Sequence, residues 1–243
     1  MRVTLLSYTK DAERLCAAAA HSCYSEKGAT DLMEEWDEER GARWLGNPLA
    51  SGHRSVIEHA SYTFSIEGIS RACTHQLVRH RLASFSQQSQ RYVRQDGADY
   101  VMPESIGEDE EAARRFRALM DHIWEEYQFL SERVPKEDAR YVLPNACTTK
   151  ITVTMNAREL WHFFELRCCN RAQWELRAVA DEMLRLVRKV SPFIFDKAGP
   201  PCVSRGRCPE GKMSCGRPRT ELCASERRDR VSRAQGDITP SGH

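Results

Sequence analysis

The stretch SYTFSIEGISRACTHQLVRHR, residues 61–81, holds a strand pattern that runs directly into a helix pattern. Over residues 61–66, large apolar side chains alternate with Thr and Ser, and this period of two predicts a half-buried β-strand. Ser70 is a residue type that favours the N-cap position, so a helix is predicted to begin after Ser70 and run to about residue 81. A strand followed at once by a helix indicates a fold that contains both elements.

Further strands and helices are predicted on both sides of this stretch. Residues 150–155 alternate in the same way, and residues 3–8 predict a short opening strand. Apolar side chains at helical spacings predict four more helices, the last of them one long helix or two abutting ones, in residues 11–23, 31–45, 108–133 and 157–190. The pattern of residues 31–45 is broken by Asn47-Pro48 and Ser51-Gly52, and the polar residues 82–95 predict a loop. Together these elements predict an α+β fold, a helix-rich single domain with a small mixed or antiparallel sheet.

The overall composition argues against two broad classes of protein. Lys and Arg total 36 against 35 for Asp and Glu in 243 residues, so nothing global favours a nucleic-acid or membrane-surface protein. The apolar part of the N-terminus is too short for a signal peptide, and no apolar run is long enough to cross a bilayer. We therefore expect a cytoplasmic protein without nucleic-acid or membrane partners, in which any anion site is a local concentration of charge.

Ten cysteines in a chain without an export signal favour free thiols over a disulfide framework. Four of them lie near the end, with gaps of five, six and seven residues: Cys202, Cys208, Cys215 and Cys223. A zinc site usually contains at least one tight Cys pair, so ordinary thiols are favoured over a structural metal, and no metal ligand is predicted. The composition predicts a main domain at 1–200, a Cys-rich extension at 201–223 and a disordered tail at 224–243.

A basic segment without any acidic residue lies between Glu67 and Asp96. It contains five arginines and two histidines, followed by a run of hydroxyl and amide side chains in residues 84–90. Guanidinium groups beside such donors suit a phosphate and a hydrogen-bonding heterocycle. Two alternatives remain: the cations simply complement a helix dipole and face water, or residues 71–94 form a nucleic-acid patch.

Within this segment, Arg79-His80-Arg81 is followed after seven residues by Ser89 and then by Gln90-Arg91-Tyr92. This motif resembles the signature of flavin-dependent thymidylate synthases. Three other stretches resemble segments of the same family, in the same order and over about residues 50–200: His53-Arg-Ser55-Val-Ile-Glu58-His59, Arg140-Tyr-Val-Leu-Pro144, and Asn156-Ala-Arg158 with His162 and Arg167.

The resemblance implies a methyltransferase that converts dUMP to dTMP, with residues 1–200 as the catalytic domain that binds flavin and dUMP. In that family methylenetetrahydrofolate provides the carbon, FAD provides the hydride, and NADPH reduces the flavin again. It also implies a homotetramer in which several subunits build each active site. No Gly-x-Gly-x-x-Gly follows a predicted strand, so a Rossmann site is not predicted. The alternative function is a non-catalytic nucleotide- or RNA-binding module that uses residues 71–94.

The resemblance also implies residue roles. Arg167 and His53 are assigned to catalysis, with the guanidinium of Arg167 stabilising an ionised uracil. Eight residues are assigned to cofactor binding: Ser55, Arg79, His80, Arg81, Gln87, Asn156, Arg158 and His162. Nine are assigned to dUMP: Gln76, Arg79, Gln87, Gln88, Ser89, Gln90, Arg91, Arg140 and Arg167. Some members carry Glu in place of Gln87 and Asn in place of His162, and both replacements keep hydrogen-bonding capacity.

Overall fold

A computed structural model describes residues 1–95, 97 and 99–219. The strands are β1 (Arg2–Tyr8), β2 (Ser61–Ser70), β3 (Ala83–Gln87) and β4 (Thr148–Asn156). The helices are α1 (Ala12–Ser22), α2 (Ala29–Glu34), α3 (Glu38–Ala50), α4 (Arg71–Leu77), α5 (Glu104–Gly107), α6 (Glu110–Ser131), α7 (Lys136–Ala139), α8 (Ala157–Arg167), α9 (Trp174–Val190), α10 (Pro192–Phe195) and α11 (Pro201–Ser204). Short 3-10 turns lie at Ser55–Ile57, Arg140–Val142 and Gly211–Met213.

The four strands form one antiparallel sheet in the order β1-β2-β4-β3. The register between the two central strands places Ser61 opposite Asn156 and Ser70 opposite Thr148. The α+β prediction is confirmed, and of the two predicted kinds of sheet the antiparallel one is found.

One face of this sheet forms the hydrophobic core with the long C-terminal helices. Tyr62, Phe64 and Ile66 on β2 are fully buried, as the alternation predicted, and they belong to the same cluster as Val153 on β4 and Phe164 on α8. Burial of each large apolar side chain contributes roughly 1.5–3 kcal/mol. Since α8 continues directly from β4, this packing holds the start of α8 at the end of the central strand.

The prediction of a loop over residues 82–95 is wrong at its beginning. Residues Ala83–Gln87 form β3, which pairs with β4 from Met155 to Ile151. Phe85 packs against the core while Ser84 and Ser86 are exposed, so the strand alternates, although most of its residues are polar. The backbone hydrogen bonds of β4 stabilise this edge strand, and a partner so distant in sequence leaves no local signal.

Three predicted helices differ in their bounds. Ser70 caps α4 by accepting a hydrogen bond from Cys73 N at 3.0 Å, but the helix ends at Leu77 because the next residues turn into β3. Residues 31–45 are divided between α2 and α3 because Asp37 starts a new helix, its carboxylate accepting from Arg40 N. The predicted break at Asn47-Pro48 is wrong, since α3 continues to Ala50. Residues 157–190 form two helices, the second of the predicted alternatives.

The C-terminal segment packs against the connection between α8 and α9. Arg219 donates to Asp181 at 2.9 Å, and Arg217 O accepts from Asn170 at 2.9 Å. The nine cysteines in the described part of the chain are free thiols, and the same part contains no cluster of metal-ligating side chains. Cys223 and the predicted tail at 224–243 lie outside the described residues. None of the described helices has the length and apolar character needed to span a bilayer.

Candidate active site

A cleft of about 1870 Å³ opens where β4 runs into α8. Its walls come from α3, the turn after α4, α8, α10 and α11. Seven of the residues predicted to bind ligands line it: Arg79, His80, Arg81, Asn156, Arg158, His162 and Arg167. Residues far apart in sequence therefore meet in one cavity.

The cleft combines positive charge with an apolar surface. Seven cationic and four acidic side chains line it, an excess of three positive charges. Its apolar surface includes Leu49, Leu82, Trp161, Leu166 and Phe193. Pockets for small ligands are usually about 300–1,000 Å³. This cleft therefore suits a ligand larger than a mononucleotide, with both phosphate and aromatic parts.

Asn156 and Arg158 lie at the junction of β4 and α8. Asn156 is the N-cap of α8, and its Oδ1 accepts from Glu159 N at 2.9 Å. Its amide nitrogen remains available as a donor at the cleft wall. Arg158 forms an exposed ion pair with Glu58. A surface pair of this kind is weak, so a bound anion can replace it at little cost.

His80 is buried in the cleft wall between two side chains of α8. Its Nδ1 lies 3.1 Å from Glu159 Oε1, and its Nε2 accepts from Arg167 Nε at 3.0 Å. Burial lowers the pKa of His80 to about 4, and the charges of Arg167 and His162 add to this effect. Burial raises the pKa of Glu159, against a smaller lowering by His162. His80 is therefore a neutral imidazole at neutral pH.

Arg167 ends α8 and presents its guanidinium to the cleft. Burial lowers its pKa from the ordinary arginine value, yet a guanidinium stays charged in proteins. Its Nε is engaged by His80, while no protein partner for its two terminal nitrogens is found among the described residues. These two nitrogens form a planar fork that is free to donate to the edge of a ligand.

A second network, which reaches the cleft through Arg54 and Arg205, was not predicted from the sequence. Glu165 on α8 accepts from Arg54 at 2.6 Å and from Arg205 at 3.0 Å, and Arg54 also stacks over Trp161. Burial raises the pKa of Glu165, but the two arginines outweigh burial and hold it below its usual range. Only one of these residues had a signal in the sequence: Arg54 lies between His53 and Ser55 in the family-like stretch.

The other nine predicted residues lie outside the cleft lining, and three of them are close in sequence to residues that line it. His53 and Ser55 flank Arg54 and are exposed at the surface. Gln76 lies on α4, one turn before Arg79. Their roles in catalysis, cofactor binding and dUMP binding stay predictions.

The remaining predicted residues form a second cluster, which we call the loop group: Gln87, Gln88, Ser89, Gln90, Arg91 and Arg140. Gln87 donates to Thr74 and Thr149, and Gln90 donates to Cys147 Sγ. Arg91 pairs with Glu137, and Arg140 Nε donates to Glu137 O. The loop group thus lies beside the start of β4.

Arg71 also belongs to this region, although the sequence did not single it out as a ligand. It donates to Gln88 O at 2.7 Å, and its buried Nε has no hydrogen-bond partner among the residues that the structure describes. Burial lowers the pKa of Arg71, a smaller effect of Arg140 acts in the same direction, and Cys147 opposes both. Two guanidinium groups close together indicate a second site for an anion.

The cleft and the loop group lie at opposite ends of the same strand. Gln87 contacts Thr149 near the start of β4, whereas Asn156 is its last residue. Seven residues at roughly 3.4 Å each place these two ends about 24 Å apart. The predicted ligand-binding residues therefore do not form one compact site within a single chain.

Comparisons with known proteins cover most of the chain. A model of the family described as Thymidylate synthase complementing protein matches residues 4–193. The flavin-dependent thymidylate synthase of Geobacter sulfurreducens is 54% identical over 220 residues, which cover 89% of this chain and 94% of that relative. The flavin-dependent thymidylate synthase from Helicobacter pylori, solved with FAD and dUMP, has a TM-score of 0.65 at 22% identity, covering 82% of this chain and 100% of that one. The UMP/dUMP methylase PolB from Streptomyces cacaoi, solved with 5-Br dUMP, has a TM-score of 0.69 at 26% identity, with coverage of 80% and 93%.

Proposed function

The chain belongs to the flavin-dependent thymidylate synthase family, and from that premise we propose that it catalyses the reductive methylation of dUMP to dTMP. The observation that carries the proposal is the cleft at the end of β4. Its seven predicted residues meet there around an excess of positive charge, with the fork of Arg167 facing the cavity. Family membership favours this enzyme over a non-catalytic nucleotide- or RNA-binding module.

We assign FAD to the cleft because its residues fit a dinucleotide. The volume exceeds that of an ordinary ligand pocket, and arginines lie beside an apolar wall. Arg79, Arg81 and Arg158 are the proposed partners of the phosphates, and Asn156 and His162 those of the polar ring edges. When bound and reduced by NADPH, the flavin supplies the hydride, and 5,10-methylenetetrahydrofolate supplies the carbon.

The protein's own task in this reaction is to activate the uracil ring. Carbon 5 of dUMP must act as a nucleophile, and negative charge on the ring increases its nucleophilicity. The terminal nitrogens of Arg167 can donate together to the O2 and N3 edge, where they stabilise that charge in a half-buried setting. The loop group, together with Arg71, provides donors for the phosphate and the sugar.

We further propose a homotetramer in which the loop group of one chain completes the cleft of another. The separation of about 24 Å along β4 supports this, since dUMP is too short to span both ends. Exposed apolar side chains beside the two groups support it too: Leu82 is 76% exposed, Tyr92 74% and Tyr141 83%. Such side chains become buried when subunits associate. A cytoplasmic location, with no nucleic-acid or membrane partner, completes the proposal.

The test of the proposed function is dTMP formation by the purified protein. Incubation with dUMP, methylenetetrahydrofolate, NADPH and FAD should yield dTMP, and omission of FAD from the flavin-free protein should abolish it. A protein that takes up no flavin on fluorescence titration would refute the cofactor assignment.

A further inference from the structure

Glu159 is a buried carboxylate in the first turn of α8, and none of the proposed ligand contacts uses it. It is 5% exposed. Among the described residues, the hydrogen-bond partner of its carboxylate is His80, whose Nδ1 lies 3.1 Å from Oε1. A buried carboxylate is unfavourable unless it is hydrogen-bonded. The pairing with His80 is thus a specific feature of this cleft.

The hydrogen bonds of His80 determine which of its nitrogens carries the proton. Arg167 Nε–H can only donate, so His80 Nε2 must be the bare acceptor nitrogen. The neutral ring then carries its proton on Nδ1 and donates it to Glu159 Oε1. Arg167 thus donates to His80, and His80 donates to Glu159, in a chain of two hydrogen bonds.

The opposite tautomer would break this chain of hydrogen bonds. With the proton on Nε2, two N–H groups would face each other between His80 and Arg167, and the guanidinium would turn away. Phe163 and His162 pack edge-on against the imidazole and hold its plane, but ring contacts do not select a tautomer. Of the charged and titratable groups that face the ring, which are Glu159, His162 and Arg167, the carboxylate is the one within hydrogen-bond distance of Nδ1 among the described residues.

We propose that Glu159 is a positioning residue for Arg167: its carboxylate fixes the tautomer of His80, and His80 then holds Arg167 Nε so that the terminal fork faces the uracil. This inference rests on the proposed role of Arg167 in the methylation of dUMP. Glu159 and Arg167 are eight residues apart on α8, about 12 Å along its axis, and the imidazole bridges them from the turn after α4. Glu159 itself touches no substrate.

Two substitutions of Glu159 by side chains of similar size distinguish the effect of losing the hydrogen-bond acceptor from the effect of changing the packing. Glu159→Met removes the acceptor, and it should slow single-turnover dTMP formation roughly tenfold while flavin reduction by NADPH stays within about twofold. Glu159→Gln keeps an acceptor oxygen, which the Nδ1–H of His80 selects, so methylation should stay within about threefold of wild type. An equal loss in both half-reactions for Glu159→Met would overturn the proposal.

Glu175→Met is the matched control. Glu175 is equally buried on α9 and accepts from Ser70 N and Oγ, away from the cleft. Its removal should lower stability as Glu159→Met does, yet leave the ratio of methylation to flavin reduction unchanged. If the control moves that ratio as far as Glu159→Met, the proposal is wrong.

A double-mutant cycle tests whether Glu159 acts through Arg167. In an Arg167→Lys background the hydrogen bond from Nε is already lost, so Glu159→Met should cause little further loss in methylation. Additive losses would refute the link. Wild-type protein that makes no dTMP would instead refute the proposed function itself.

A spectroscopic test needs neither activity nor a substitution at Glu159. Nitrogen NMR of ligand-free wild-type protein carrying isotope-labelled histidine should show a protonated Nδ1 and a bare Nε2 for His80, assigned by comparison with His80→Asn. A protonated Nε2 at neutral pH would overturn the proposal, even if Glu159→Met failed to fold.

Discussion

Replacement of Arg167 by lysine tests the proposed activation of uracil, because it keeps the positive charge and removes the fork. Arginine donates from Nε to His80 and still has two terminal nitrogens for a ligand. The single ammonium of lysine can bind His80 Nε2 or the ring edge of dUMP, but its geometry does not match both. We therefore expect Arg167→Lys to fold normally and to lose the methylation step.

The size of the loss follows from the setting of this side chain. Arg167 is partly desolvated in the cleft wall, so its contact with developing negative charge is only weakly screened by water. Loss of one donor aimed at such charge costs about 3 kcal/mol, which is roughly a hundredfold in rate. The half-reaction in which NADPH reduces the flavin involves no charge on the uracil and should change by less than about threefold.

Single-turnover dTMP formation and flavin reduction are measured on the same preparation, with dUMP saturating. Arg177→Lys, on α9 and outside the cleft lining, is the control for arginine replacement and should leave both rates unchanged. Equal loss in both half-reactions would mean that Arg167 supports the fold or the flavin. An unchanged methylation rate would refute its role and direct attention to Arg140.

If the protein is a homo-oligomer, light scattering should give a mass of several times 27.9 kDa. If two chains build each site, inactive Arg167→Ala and Arg140→Ala chains that are refolded together should recover roughly a quarter of wild-type activity. No recovery would place the whole site in one chain. Glu165→Gln leaves two arginines without their carboxylate and should lower the free energy of unfolding by about 2–3 kcal/mol in a urea titration, whereas a change below about 0.5 kcal/mol would refute the network. The pKa of His80 lies at about 4 in the folded protein and near 6.5 when unfolded, so the unfolded state alone binds this proton as pH falls from 6.5 to 4. This difference contributes about 3 kcal/mol to the free energy of unfolding above pH 6.5, and the contribution is lost as pH falls to 4. A His80→Asn variant that loses as much free energy of unfolding over this pH range as wild type would contradict the prediction.

The elements with one buried face could be predicted from the sequence alone. The alternation in residues 61–66 and 150–155 located β2 and β4 because the core side chains are apolar and the others polar. The edge strand β3 was missed, since its stability comes from pairing with β4 rather than from its own residues. The end of α4 was also wrong, because the turn into β3 depends on that pairing.

Site residues could be predicted where they belong to a family-like sequence motif. Residues whose hydrogen-bond partners are distant in sequence could not be predicted in this way. Seven predicted residues line one cleft, although their roles there remain proposals. Glu159 resembles an ordinary acidic residue in a first helical turn, and its pairing with His80 is visible only in three dimensions. Arg205 lies 40 residues after Glu165 in the chain, so no local pattern links the two side chains. The distance between the cleft and the loop group is likewise a property of the fold.

Formation of dTMP is the most direct test of the central claim. Flavin-free protein is supplied with dUMP, methylenetetrahydrofolate and NADPH, with and without FAD, and the nucleotide products are separated and identified by mass. We predict dTMP only when FAD is present, with NADPH oxidised in equal amount. A protein that binds FAD yet leaves dUMP unchanged under these conditions would contradict the account.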